Sequence, residues 1–367
     1  MSEDSIPRID VPEAYQARMN IGYGGIETGS DFLQKSMAYT DNQKKQLELE
    51  AGLLGVNPTA DPDRFVEAHN ALLGDLRAEV DAQLPGIKQT LIEKTAAYFG
   101  GDDDATKALL IELLERRLAA TQQVIVADSL STSKDSVGFF NGLARQPVMV
   151  SGELVLQLKE SEDMDDFHDR LSKVILAHEV MHGMFTSGVQ ETWLSSSYTI
   201  RTGLEIFQLE NPLDFMEMKT HKHGVWLNDA TLESFRQTIM ETRGVRYEPG
   251  VMVLHMLDKL SPGLRDKLVL AALDSSGPGP TFGEVEQLLG PTGIEEVEKL
   301  LVDVKNFADL EGFKDSVAAM LPKDLRERGR AIIEREQEEI FGWQPDYPQR
   351  RQKALDEAAA KAAAASS

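Results

Sequence analysis

The sequence of 367 residues contains no cysteine. A disulfide framework and a thiolate metal site are therefore both excluded, and any metal ion must be held by histidine and carboxylate side chains. Basic residues are also scarce, because 38 lysines and arginines stand against 61 aspartates and glutamates, which gives a net charge of −23. This balance argues against nucleic acid and against an anionic membrane surface as partners.

Long apolar runs are missing as well. A membrane-spanning helix needs roughly 18 or more consecutive apolar residues, and no run approaches that length, so we expect no membrane-spanning segment. Residues 1–7 lack the basic and apolar regions of a secretory signal, which makes a cytoplasmic location our expectation. Hydrophobic residues make up 41% of the chain, which is enough to bury a sizeable core. The composition indicates no particular oligomeric state.

One apolar stretch, residues 174–185, carries the clearest chemical signal. Within it His178, Glu179 and His182 form the pattern H-E-x-x-H. Positions four apart lie on one face of an α-helix, so the two imidazoles can bind a single Zn²⁺ at roughly 2.0–2.1 Å each. Glu179 can then accept a proton from the attacking water, as in metallopeptidases. The helix itself is predicted from apolar residues at three- and four-residue spacing: Phe167, Leu171, Val174 and Ile175.

A catalytic zinc site needs a third protein ligand. Position 188 is Gly, so no third histidine follows at the spacing of the longer H-E-x-x-H-x-x-G-x-x-H pattern. Asp229 and Glu233 are the best carboxylate candidates, because they lie four apart on a predicted helix. One of them can bind zinc while the other accepts a hydrogen bond from a ligating histidine. Glu205 is a further alternative for the third ligand.

Two short segments resemble known zinc peptidases. Residues 226–230, Trp-Leu-Asn-Asp-Ala, resemble the Trp-Leu-Asn-Glu-Gly segment of aminopeptidase N-type gluzincins, whose glutamate is the third zinc ligand. They are also similar to the Asn-Glu-Ala segment of thermolysin-like peptidases, in which a carboxylate four residues later contacts a zinc histidine. Residues 247–250, Tyr-Glu-Pro-Gly, resemble the Tyr-Glu-Lys-Gly segment of the same aminopeptidases, whose tyrosine stabilises the oxyanion. The resemblance implies Asp229 as the third ligand and Tyr247 as the oxyanion donor, with Glu233 beside the site or as the alternative ligand.

The resemblance covers about residues 137–300 and has departures. Aspartate at position 229 is one methylene shorter than the glutamate of the family. The spacing from His182 to Asp229 is 229 − 182 = 47, longer than in the family, and that from Asp229 to Tyr247 is 247 − 229 = 18, much shorter. The family glutamate that binds the free amino group of the substrate is missing from residues 138–141. Endopeptidase action is therefore at least as well supported as aminopeptidase action.

The whole chain predicts an α+β fold that is predominantly helical. We expect an N-terminal arm and helical region over residues 1–120, the sheet and active-site helix of a zincin-like domain over 121–225, a helical half over 226–322 and a charged helical tail over 323–367. A capping box formed by Thr40 and Gln43 predicts the start of one helix. Strands are predicted at 124–126, 137–140, 148–150 and 154–158. Helices are predicted at 62–84, 86–99, 104–120, 202–209, 229–242, 249–260, 262–273, 281–289, 293–303 and 311–320.

The remaining histidines are interpreted as structural. His69 and His255 fit a core or surface position, and His221 and His223 fit a solvated loop. We therefore expect a zinc metallopeptidase that hydrolyses a peptide or protein substrate. The alternatives are a catalytically inactive zincin scaffold that binds a partner, and a zinc hydrolase that acts on something other than peptides.

Overall fold

The computed structural model describes residues 26–119, 124–131, 138–141, 146–185, 187–192, 197–210, 219–242, 248–274, 279–304, 307–342 and 346–365. It is predominantly helical, as predicted, and it divides into two compact units, Met1–Met184 and Phe185–Ser367. Among these residues no helix is both long enough and apolar enough to cross a membrane. The first 25 residues of the predicted N-terminal arm lie outside the described residues.

Four helices come first in the described part of the first unit, which starts at residue 26. They are α1 (Gly29–Ser36), α2 (Asp41–Leu54), α3 (Pro62–Gly100) and α4 (Asp104–Ala119). The predicted capping box at the start of α2 is confirmed, because the Thr40 hydroxyl accepts from the Gln43 amide and the Gln43 side chain accepts from the Thr40 amide. A small apolar core forms where α1 and α2 meet α3; it contains Ile26, Phe32, Tyr39, Val56, Phe65, Val66 and Leu130.

The long helix α3 departs from the sequence prediction. Two helices separated by Pro85 were expected, but α3 continues through the proline without interruption. A proline inside a helix removes one backbone hydrogen bond and crowds the preceding turn. The buried face continues on both sides of Pro85, with Val80 and Leu84 before it and Ile87 and Leu91 after it. Burial of this continuous apolar face offsets the local cost of the proline.

A three-stranded sheet follows α4. Its strands are β1 (Ile125–Ala127), β2 (Gly138–Asn141) and β3 (Gln146–Val150), in the order β1-β3-β2. β1 is parallel to β3, whereas β2 is antiparallel to it. Three predicted strands are thus confirmed.

The fourth predicted strand, at residues 154–158, is wrong. That segment belongs to helix α5 (Ser151–Glu160). Strand alternation would place Leu154 and Leu156 on the same face, yet Leu154 is buried while Leu156 is 40% exposed. The neighbouring buried pair of Leu154 and Val155 fits a helix, in which adjacent residues can share the buried stripe.

The second unit opens with a four-stranded antiparallel meander. Its strands, in spatial order, are β4 (Ser187–Thr192), β5 (Ser197–Thr202), β6 (Glu205–Glu210) and β7 (Lys219–His223). The helix predicted at 202–209 is therefore wrong, and so is the loop predicted around His221 and His223. Gly203 turns the chain between β5 and β6 with φ of +60°, a left-handed conformation that glycine adopts without strain. Its missing side chain also matters, since a Cβ there would lie 2.4 Å from the Asn228 side-chain oxygen.

Eight helices complete the described part of this unit. They are α8 (Val225–Met240), α9 (Glu248–Leu260), α10 (Leu264–Leu273), α11 (Gly279–Leu289), α12 (Gly293–Asp303), α13 (Phe307–Met320), α14 (Arg326–Phe341) and α15 (Tyr347–Ala365), the last two in the predicted charged tail. Two further helices, α6 (Met164–Arg170) and α7 (Ala177–Met184), end the first unit. The six helices predicted between residues 229 and 320 are confirmed, with ends that differ by up to four residues. Glycine and proline separate most of them, as the sequence indicates.

Candidate metal centre

The H-E-x-x-H motif lies on a buried helix at the end of the first unit. The chain forms α6 (Met164–Arg170), a π-helical turn (Leu171–Leu176) and α7 (Ala177–Met184) without a break. Every residue of α7 is buried, and His178 and Glu179 are at most 1% exposed. The core-facing residues Phe167, Leu171 and Ile175 precede the motif and are fully buried as well. The helix predicted for the motif is therefore confirmed, with a π turn in its middle.

The two histidines of the motif face each other. The ring centroids of His178 and His182 are 5.0 Å apart and the rings are nearly perpendicular, at 75°. One ring nitrogen of each lies within 4.8 Å of the other. This is the arrangement that the four-residue spacing predicts for one face of a helix. Two imidazoles so placed can share one small cation.

The surroundings of α7 hold the motif in place. The helix packs against β2 and β3 of the sheet and against α3 and α4. At its carboxyl end the Arg117 guanidinium, from α4, donates a hydrogen bond of 3.1 Å to the Met184 carbonyl. A cation at this end is favourable, because the last carbonyls of a helix carry partial negative charge. The motif is thus built on packed, regular structure.

The π-helical turn directly before the motif is a further feature of the site. π-helical turns are rare, and they occur mostly as single turns within α-helices, often at functional sites. Leu171 and Ile175, which lie in this turn, are fully buried. The sequence predicts one continuous α-helical face here, and the periodicity of the apolar residues contains no signal for the additional residue per turn.

In the second unit Asp229 lies in the first turns of α8. The helix begins after Gly224, which has φ of +76°. Two buried side chains fasten this end of the helix: Trp226 donates from its indole nitrogen to the Ile294 carbonyl at 2.8 Å, and the Asn228 side-chain oxygen accepts from the Leu204 amide at 3.0 Å. Asp229 itself is half-buried. Its backbone position is therefore held firmly by its neighbours.

Glu233 lies one turn further along α8 and is fully buried. Its two carboxylate oxygens accept hydrogen bonds from Arg236, at 2.9 Å from Nε and 2.7 Å from Nη2. The guanidinium also donates to the Thr242 hydroxyl at 2.8 Å. Arg236 is fully buried too, so this is a charge pair removed from water. Arg236 is not among the residues predicted for the site, although its spacing of three residues from Glu233 is a signal for such a pair.

The other predicted site residues are placed as follows. Tyr247 lies outside the described residues. Glu205 is the first residue of β6, opposite Thr202 of β5. His223, at the end of β7, is 3.1 Å from the Glu295 carboxylate and contacts the Phe282 ring.

His255 takes part in a hydrogen-bonded chain of three side chains. The Ser234 hydroxyl lies 2.8 Å from His255 Nε2, and His255 Nδ1 lies 2.6 Å from the Glu336 carboxylate, which Lys259 also contacts. The same order of residue types occurs in serine hydrolases. Ser234, however, is 1% exposed and lies inside α8, where backbone amides are bonded to carbonyls one turn earlier and cannot bind an oxyanion. We interpret this chain as a structural link between α8, α9 and α14.

No family model, no curated protein and no solved structure matches this chain. A functional conclusion therefore depends on the chemistry of the site residues themselves. Two imidazoles and one carboxylate form a ligand set that zinc accepts in catalytic sites.

Proposed function

We propose that this chain is a zinc-dependent peptidase in which His178, His182 and Asp229 bind the metal ion. The observation that carries the proposal is the pair of buried imidazoles on α7, with ring nitrogens within 4.8 Å of each other. When bound, zinc polarises the carbonyl of the substrate and lowers the pKa of water to about 7. The zincin-like arrangement of sheet and motif helix is part of the same proposal.

Asp229 is preferred to Glu233 as the third ligand. Both oxygens of Glu233 already accept hydrogen bonds from Arg236, and a metal ion would have to compete with this buried cation. The register of residues 226–230 in the resemblance also assigns the ligand to position 229. Glu233 and Arg236 then form a fixed ion pair one helical turn beyond the ligand, and Glu205 remains a less favoured alternative.

Glu179 is proposed as the general base. It follows His178 directly, so its side chain leaves α7 about 100° around the helix from that imidazole. Its carboxylate accepts a proton from the attacking water and later delivers it to the amine that leaves. Tyr247 is proposed as the donor to the oxyanion; loss of one such donor typically costs about 2.7–4 kcal/mol of transition-state stabilisation.

The substrate is proposed to be an extended peptide. Within the described residues, β2 is bonded to β3 on one side only, and its other side can pair with a peptide strand by main-chain hydrogen bonds. α7 packs directly against β2, so a peptide bound there lies close to the motif helix. This mode of binding suits endopeptidase and aminopeptidase action equally.

The experiment has two steps. The first measures the zinc content of the purified wild type and of a His178→Ala variant; we expect about one zinc per chain, lost in the variant. The second compares wild type and Glu179→Gln on a peptide library; we expect the variant to retain zinc and to lose turnover. Peptide cleavage by Glu179→Gln at the wild-type rate would overturn the mechanism.

The inactive zincin scaffold is the second candidate, and the aspartate at position 229 in place of the family glutamate is the observation that favours it. A wild type that binds zinc and cleaves neither peptides nor other hydrolase substrates would support this candidate. A wild type that binds no zinc even when zinc is added back would exclude the peptidase.

A further inference from the structure

Three ionisable side chains meet in the interior of the first unit, on elements that do not include the motif helix. His69 of α3, Glu50 of α2 and Asp128, which follows β1, are each at most 2% exposed. His69 Nδ1 lies 2.7 Å from a Glu50 oxygen, and His69 Nε2 lies 3.3 Å from an Asp128 oxygen. The imidazole therefore stands between two carboxylates, one at each ring nitrogen. Buried charges of this kind are rare unless they are paired.

This cluster fastens one part of the unit, residues 26–56, which we call the N-terminal layer. The layer comprises α1 and α2, and it covers the apolar side chains of Phe65 and Val66 on α3. Two polar contacts hold its first residues: the Gly29 amide donates to the Asp63 side chain at 3.0 Å, and the Asn70 side chain donates to the Ile26 carbonyl at 2.8 Å. The pair of Glu50 and His69 adds an ionic contact between the layer and α3.

The protonation state of His69 decides whether both carboxylates receive a hydrogen bond from the imidazole. An imidazolium has two N–H groups and can donate to Glu50 and to Asp128 together, whereas a neutral imidazole has one N–H and can donate to only one of them. The net charge of the cluster is −1 with the proton and −2 without it. The Tyr39 hydroxyl also faces these carboxylates, and burial together with the charges of Asp128 and Glu50 raises its pKa, so it stays neutral and adds no further negative charge. The ring of Phe65 stacks on the imidazole at 6.0 Å and adds no charge.

The electrostatics of the cluster favour the protonated form. Burial alone would lower the pKa of His69, but the hydrogen bonds and charges of Asp128 and Glu50 outweigh burial and raise this pKa to about 9. The same imidazolium, together with the Ser131 hydroxyl and the Leu130 amide, holds the pKa of Asp128 below its ordinary value in spite of burial. Both shifts agree with the geometry.

We propose that His69 is a proton-dependent latch, which holds the N-terminal layer against α3 and loosens it when the proton is lost. A histidine whose pKa is raised in the closed state stabilises that state fully below its pKa in the open state, and the effect is lost as pH rises through the closed-state value. The upper end of the window is about pH 9, and its lower end is the open-state pKa, which lies above 6.5 because Asp128 is not part of the layer and stays beside His69. One proton is released on opening within the window, so the opening constant rises by up to about tenfold per pH unit, and by at most about 300-fold over 9 − 6.5 = 2.5 units.

A single introduced cysteine can report this opening, because the chain has no cysteine of its own. Val56→Cys places a thiol on the buried side of the layer, in the apolar core that the layer shares with α3, and Val269→Cys places one at a fully buried position of α10 as a matched control. The probe is a small aromatic disulfide reagent. At each pH the rate at which it labels the introduced cysteine is corrected for the fraction of thiolate and is then expressed relative to the rate for a short cysteine peptide. The corrected rate at position 56 is expected to rise with pH, by up to about tenfold per pH unit, and to level off near pH 9. The rate at position 269 is expected to stay flat.

Two further variants, made in the Val56→Cys chain, distinguish opening that depends on the proton of His69 from a general loss of stability at high pH. His69→Gln should abolish the pH dependence at position 56. Glu50→Gln keeps an acceptor but removes one negative charge, so its rate should level off at a lower pH than in the parent. If His69→Gln does not fold, the histidine NMR titration of the wild type replaces it, and one imidazole titrating near pH 9 is expected. A flat corrected rate at position 56, or seven histidines that all titrate below pH 7.5, would overturn the proposal.

Discussion

Both carboxylate oxygens of Glu233 accept hydrogen bonds from the guanidinium of Arg236, and neither side chain is exposed to solvent. Such a pair exists in the interior only because each charge compensates the other. The fork of the guanidinium also fixes the orientation of the carboxylate, which a single-point contact would not do. α8 therefore carries a rigid, charged pair one turn after Asp229.

The first prediction concerns the stability of this pair. Arg236→Met leaves the Glu233 carboxylate buried without its cation, and the free energy of unfolding should fall by about 3–5 kcal/mol. The double variant Glu233→Leu/Arg236→Met removes both charges and should recover most of that loss. Urea unfolding followed by circular dichroism measures both. A double variant as unstable as the single one would show that packing of the two side chains, and not their charge, is what matters.

The second prediction distinguishes the two candidate carboxylate ligands with isosteric changes. Glu233→Gln leaves the buried Arg236 cation uncompensated one turn from the proposed ligand and should weaken zinc binding by about 10–100-fold, the range typical of residues that support a ligand. Asp229→Asn changes the ligand itself and should weaken binding more than that. Competition with a zinc-chelating dye gives both affinities. The reverse order would assign the metal to Glu233.

The third prediction concerns acid stability. Burial alone would raise the pKa of Glu336, but hydrogen bonds and charges from His255 and Lys259 outweigh it and lower this pKa below 4.5. A carboxyl group with a lowered folded-state pKa contributes stability above its unfolded value, and that contribution is lost as pH falls through the folded value. Glu336→Gln should therefore lower stability at pH 6 and flatten its decline below about pH 4.5. Urea midpoints at several pH values test this; an unchanged acid slope would contradict it.

The fourth prediction concerns the proline inside α3. Pro85→Ala restores a backbone donor and relieves crowding in the preceding turn, and it should raise the free energy of unfolding by up to about 3 kcal/mol. Gly86→Ala is the matched control; a Cβ there meets no atom within 4 Å, and we expect a gain of about 0.5–1 kcal/mol. Thermal unfolding of both variants measures the gains. A loss of stability in Pro85→Ala alone would mean that the bend at the proline is required for packing.

The sequence predicts those elements whose signals are local. The capping box at Thr40 and the helix around His178 each depend on residues within one or two turns, and both are confirmed. The predictions for residues 154–158 and 202–209 are wrong for the opposite reason, because the signals in these segments do not determine their structure locally. Short apolar runs fit a strand or a helix equally well, and their structure depends on partners distant in the chain. For 202–209 the deciding partner is β5, which ends at Thr202 and pairs with residues 205–209 across the turn at Gly203.

The same distinction applies to the candidate sites. The facing of His178 and His182 follows from their spacing alone. The latch at His69 could not be predicted, because Glu50 is 19 residues before it and Asp128 is 59 residues after it (128 − 69 = 59). The tie between His255 and Glu336 spans 81 residues. Residues so far apart in the sequence are not linked by helix or strand periodicity, and only the tertiary fold determines which charged side chains come into contact.

The π-helical turn at residues 171–176 has a consequence for insertions and deletions in this helix. One additional residue is accommodated in that turn while the hydrogen-bonded rod continues into α7. Because the wide turn absorbs that residue, α7 has nearly the phase relative to Phe167 that an unbroken α-helix one residue shorter would give. Deleting one residue from the turn should therefore restore uniform α-helical winding and leave the core contacts of α6 and the direction of the two imidazoles in register. A further residue inserted without a second wide turn would instead rotate everything beyond it by about 100°. The π-helical turn is thus the place in this helix where the chain length can change without displacing His178 and His182.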